Sequence, residues 1–130
     1  MSSLANCFVW NVRGLNGRAH RNIIREFVVQ ERPTLVCIQE TKLSMICNAL
    51  ANKILGTAFD YVFLPTVNVS GGILLSWSVI ALTVSDVARG RFTLSAKLSM
   101  IGMSSDPWWI TVVYGPQLDN DKVQFLEELR

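Results

Sequence analysis

The chain has 130 residues, half of them hydrophobic, and twelve basic against ten acidic side chains leave a net charge of +2. That is one domain, or part of one, with ample apolar material for a core. So small a charge excludes any inference of nucleic-acid or membrane binding from composition alone. The charge is uneven, however: from Arg13 to Lys42 six basic residues face three acids. That excess reads either as a surface for an anionic partner or as a solvated helix face.

The opening "MSSLANCFVW" lacks the basic start and long apolar stretch of a signal peptide. Cys7, Cys37 and Cys47 have no metal-type spacing, so the expectation is reduced core thiols in an intracellular protein. "CFVWN" reads as a buried strand ending at Asn11, and "VRGLNGR" as a loop punctuated by Gly14 and Gly17. Ile23, Ile24, Phe27 and Val28 fall on one face of an amphipathic helix from about Arg18 to Glu31, stopped by Pro33. "TLVCIQ" is a second buried strand. "SMICNALANKILG" reads as a second helix, with Ser44 as N-cap and Gly56 as stop.

The pattern then turns to strands. "DYVFLP", "GGILLSW", "IALTVSDV", "RFTLSAKLS" and "WWITVVYGP" are strand-like runs between turn residues. Thr93, Ser95 and Lys97 alternate with Leu94, Ala96 and Leu98, as in a strand with one wet face. No charge occurs from Tyr61 to Ser85, but Pro65, Asn68, Gly71 and Gly72 divide that window, which favours short strands over a membrane helix. Trp108 and Trp109 are neighbours on a strand and face opposite sides, so at most one is expected at the surface. "DNDKVQFLEELR" begins a helix with its cap among Asp119, Asn120 and Asp121, and Val123, Leu126 and Leu129 along one side.

Two strands joined by a helix are almost always parallel. Asn11 and Glu40 both stand at C-terminal strand ends, the edge of a parallel sheet where ligands tend to bind. Arg13 and Lys42 lie in the loops that follow. A carboxylate and an amide beside basic side chains suit a hard divalent cation and a phosphate. Glu40 can equally be a turn residue on the surface. Tyr114 closes another apolar run, before a Gly-Pro turn; its phenol can donate to a phosphate oxygen, or simply reach solvent from an aromatic core position. No P-loop, dinucleotide fingerprint or serine nucleophile elbow is present. His20, the single histidine, lies at a helix start and reads as a surface residue.

"WNVRGLN", "IQETKL", "GGILLSW" and "WWITVVYGP" followed by "DNDKVQFLEEL" together resemble the endonuclease/exonuclease/phosphatase superfamily. Within it they are similar to the apurinic-endonuclease-like domain of plant non-LTR (LINE-type) retrotransposons. The resemblance implies an α/β fold, a four-layered α/β/β/α sandwich of the DNase I-like type. It also implies phosphodiester hydrolysis with Mg²⁺ or Mn²⁺, DNA as partner, no membrane, and a nuclear location for a retrotransposon-like protein. Carried over by position, Glu40 matches the metal-binding glutamate, Asn11 the strand-end asparagine that orders the site, and Tyr114 the tyrosine that contacts the scissile phosphate; Arg13 and Lys42 would bind phosphate or nucleic acid.

Such domains continue with a Gly-Asp-x-Asn motif, a further aspartate and a terminal Asp-His pair that activates the water, and none of these occurs here. The expectation is therefore a partial domain over residues 1–130, about the first half of the sandwich, inactive as a separate chain. Its exposed sheet edges would invite self-association. Two other readings stay open: a catalytically dead remnant that binds nucleic acid or protein, and another phosphoesterase of the same superfamily.

Overall fold

The computed structural model describes residues 6–66, 71–102 and 106–114. In chain order these form β1 (Cys7–Asn11), α1 (Arg18–Glu31), β2 (Leu35–Gln39), α2 (Asn48–Leu55), β3 (Phe59–Leu64), β4 (Ile73–Ser78), β5 (Leu82–Arg89), β6 (Thr93–Met100) and β7 (Trp108–Val113). One sheet has the order β1-β2-β4-β3 and the other β5-β6-β7. β1 and β2 pair in parallel, as the crossover through α1 requires. Every other pairing is antiparallel.

β2 and β4 lie at the centre of the first sheet and are covered on both faces. That is why "LVCIQ" and "ILLSWS" are nearly unbroken runs of buried residues. Val36, Ile38 and Leu74 face the helices, where they meet Ile24, Val28, Ala51, Ile54 and Leu55. Leu35, Cys37, Ile73, Leu75 and Trp77 face the second sheet and pack on Leu82, Leu94, Ala96, Leu98 and Val112. The buried Ser76 is accommodated because its hydroxyl donates to the Val36 carbonyl at 2.8 Å. The described layers are thus helices, a four-stranded sheet and a three-stranded sheet. β6 keeps the wet-face alternation expected of it.

The helix α1 matches its expected bounds. It ends where Arg32 takes a left-handed conformation and donates its N–H to the Val28 carbonyl, just before Pro33. The second helix starts later than expected, at Asn48 with Cys47 as N-cap rather than at Ser44. The intervening segment is held otherwise: the Leu43 carbonyl accepts from Thr66, and Ile46 is buried against the helix-side core.

Four expectations about burial are corrected. "CFVWN", expected as a buried strand, exposes Cys7, Val9 and Asn11 as β1. Only Cys37 is a core thiol; Cys7 and Cys47 are exposed. Burial pushes the Cys37 thiol up to about 12, with the neighbouring Cys7 adding to the rise. Trp108 and Trp109 are both exposed; among the described residues β7 is an edge strand. Ile23 lies at 48% exposure on the rim of the apolar face of α1, while Ile24 and Val28 take the core positions. The terminal helix expected near Asn120 lies outside the described residues. No helix among them is long and apolar enough to cross a membrane, and the uncharged window from Tyr61 is divided between β3, β4 and β5.

Candidate active site

The parallel register places Asn11 opposite Gln39, so Glu40 follows directly beyond the strand end that adjoins Asn11. The Asn11 side-chain amide donates to Glu40 Oε2. Asn11 Oδ1 in turn accepts from the Arg13 backbone N–H at 3.2 Å. The amide is therefore used at both ends: it fixes one carboxylate oxygen and shapes the loop that carries Arg13.

Three loops are laced together here by backbone hydrogen bonds. Val12 donates to Gln39, Gly14 to Glu40 and Leu15 to Thr41, while Thr41 and Lys42 donate to Gly72 and Gly71. The loop after β2 is thus clamped between the loop after β1 and the start of β4. Arg13, Glu40 and Lys42 all adopt left-handed backbone, with φ of 55°, 55° and 57°. For non-glycine residues such conformations cost about 1–3 kcal/mol each, and they persist where surrounding structure over-determines them. The lacing supplies that over-determination.

Gly71 and Gly72 also have positive φ, where any L side chain is strained. A Cβ at Gly72 would collide with the hydroxyl of Thr41, which is fully buried. A Cβ at Gly71 would stand 3.1 Å from the Tyr114 ring. Tyr114 thus sits against the same backbone that receives the Lys42 N–H. The Lys42 side chain lies over Gly14, its Cδ 3.7 Å from where a Cβ would stand. Gln39 donates through Nε2 to the Val113 carbonyl at 2.9 Å, tying the second sheet to the first beside Tyr114.

All five residues singled out in the sequence, Asn11, Arg13, Glu40, Lys42 and Tyr114, therefore gather around one sheet edge. Thr41, Gln39 and the Gly71–Gly72 pair are the additions. The glycine pair was visible only as turn punctuation, because its partners lie some thirty residues earlier in the chain. His20 is exposed, as expected, but its Nδ1 is engaged with the Gly14 carbonyl at 2.7 Å, so it braces the β1 loop.

No protein-family model matches this chain, and no curated protein sequence does. Solved structures do match. The 3′ phosphatase NExo from Neisseria, bound to a product DNA hairpin, superposes with a TM-score of 0.65 at 20% identity over 95% of this chain and 48% of its own. The AP endonuclease LMAP from Leishmania major gives 0.65 at 21% identity, over 93% of this chain and 44% of its own. The human Nocturnin catalytic domain gives 0.68 at 15% identity, over 96% and 59%. The fold is the DNase I-like sandwich. At these identities the likeness speaks for the fold. The chain spans about half the length of the structures it matches.

Proposed function

We propose that this chain carries one part of a metal-dependent phosphodiesterase site of the DNA-endonuclease type, of retrotransposon origin. The observation that carries this reading is the Asn11–Glu40 hydrogen bond at adjacent strand ends, with Arg13 and Lys42 held in left-handed backbone on either side. The fold supports it, since an AP endonuclease and a DNA 3′ phosphatase share it.

The donor set suits a hard cation: one oriented carboxylate leaves most of the coordination shell to water and phosphate oxygens, as Mg²⁺ or Mn²⁺ prefers. Glu40 would hold the ion, and when bound the ion would supply neutralisation of phosphate charge. Asn11 fixes the rotamer of Glu40. Arg13 and Lys42 draw the phosphate by charge, and the Tyr114 phenol donates a hydrogen bond to one of its oxygens. No group of three or more His, Cys, Asp or Glu side chains gathers among the described residues. The reading is that the separate chain binds DNA without cutting it.

Two measurements on the purified chain test this. With Mg²⁺ and supercoiled plasmid, no nicking above background is expected; nicking that vanishes in Glu40→Ala would refute the claim of inactivity. Binding to a DNA duplex should weaken with salt, with a log–log slope of about −3 to −4 if Arg13, Arg18, Arg21 and Lys42 each neutralise a phosphate. A flat response would remove DNA as partner. The outer edges of β1 and β7, unpaired among the described residues, are also proposed to drive weak self-association.

A further inference from the structure

Beside the candidate phosphate site, on the helix side of β1, lies an open cavity of about 200 Å³ lined by Trp10, Asn11, Val12, Arg13, His20 and Ile23. We infer that this cavity holds a single nucleobase of the strand whose phosphate sits at Glu40, Arg13 and Lys42. The inference rests on the phosphate reading above and extends it by one nucleotide.

Size comes first. The cavity is below the ~300–1,000 Å³ range of pockets for drug-sized ligands, which leaves room for one flat ring system. Its walls have the right chemistry. Trp10 is fixed by edge-on contacts with Phe8 at 5.2 Å and Phe27 at 6.3 Å between ring centroids, so the indole is a rigid aromatic wall. Such walls take any base, because every base has a π-face. Ile23, at 48% exposure, is the apolar side chain that α1 contributes to the rim rather than to the core. His20 supplies a polar edge. Its Nδ1 donates to Gly14, so Nε2 of the neutral ring is left as an acceptor for an exocyclic amino group.

Position decides the ligand class. Asn11 and Arg13 belong to the cavity wall and to the candidate phosphate site at once. A ring bound in the cavity and a phosphate bound at Arg13 are thus close neighbours, the arrangement found in a nucleotide and in few other metabolites. The basic side chains of Arg13, Arg18 and Lys42 on the flanking segments favour an anionic strand over a neutral aromatic compound.

The test uses the full chain, isotopically labelled, titrated with deoxyadenosine 5′-monophosphate and separately with deoxyribose 5-phosphate. The Trp10 indole and His20 ring resonances should shift saturably with the nucleotide, and the sugar phosphate should bind at least tenfold more weakly. Ile23→Phe, which fills the cavity from an exposed helix position and changes no charge, should bring the nucleotide down to the level of the sugar phosphate. Equal affinities, nucleotide binding unchanged in Ile23→Phe, or no shift at Trp10 and His20 would overturn the inference. Inorganic phosphate with Mg²⁺, followed at the Asn11 and Lys42 amides, reads the phosphate site separately. Silence there with an intact nucleotide response would leave the base cavity standing and remove the phosphate reading instead.

Discussion

At Gly72 two segments of backbone meet with no space for a methyl group. Its φ of 94° is strained for any L side chain, and a Cβ would strike the buried Thr41 hydroxyl. Gly72→Ala should therefore destabilise the chain by about 2 kcal/mol or more, through strain and collision together. Gly17→Ser is the contrast: nothing lies within 4 Å of its Cβ position, and the residue is the N-cap of α1, so a change within about 0.5 kcal/mol is expected. Urea unfolding of both variants compares them directly; equal midpoints would show that the lacing of the site contributes nothing. Asn11 and Glu40 were legible in the sequence because each is a polar residue that ends an apolar run. The left-handed backbone of Arg13, Glu40 and Lys42 was not legible, because it is imposed by hydrogen bonds from distant segments and leaves no local composition signal.

Whether an apolar run is buried depends on the layers around it, and β1 shows this. "CFVWN" has the same look as "LVCIQ", yet in β1 Cys7, Val9 and Asn11 are exposed and only the alternate residues are half-buried. β2 lies between β1 and β4 under two cores, while β1 has one paired edge among the described residues and no second-sheet partner over Val9, which is 54% exposed. Trp108 and Trp109 on β7 follow the same logic. Sequence periodicity gave the strands and their order of polarity, but exposure at an edge is a property of the neighbour. Exposed edge strands carrying apolar side chains are association sites. Sedimentation of the chain over a range of concentrations should show reversible self-association, and Val9→Lys should move the distribution towards monomer without changing the circular dichroism spectrum. An unchanged distribution would exonerate this edge.

For the molecule as a whole, the helix-flanked opening predicts a parallel pair and the family resemblance implies two packed sheets, and both are present. The two sheets are joined where the site lies, through Gln39 and Val113 and through Tyr114 against Gly71. The sandwich thus brings residues from three separate parts of the chain to one edge, which no local reading of any one motif could establish. The central claim is that this edge binds a divalent cation through an oriented Glu40. Titration of the ¹⁵N-labelled chain with Mn²⁺ tests it most directly, because the paramagnetic ion broadens amides near its site. Amides of Asn11, Glu40 and Thr41 should broaden first, and Glu40→Gln should abolish that effect while leaving the rest of the spectrum in place. Broadening confined to other regions, or broadening at these amides that survives Glu40→Gln, would contradict the account.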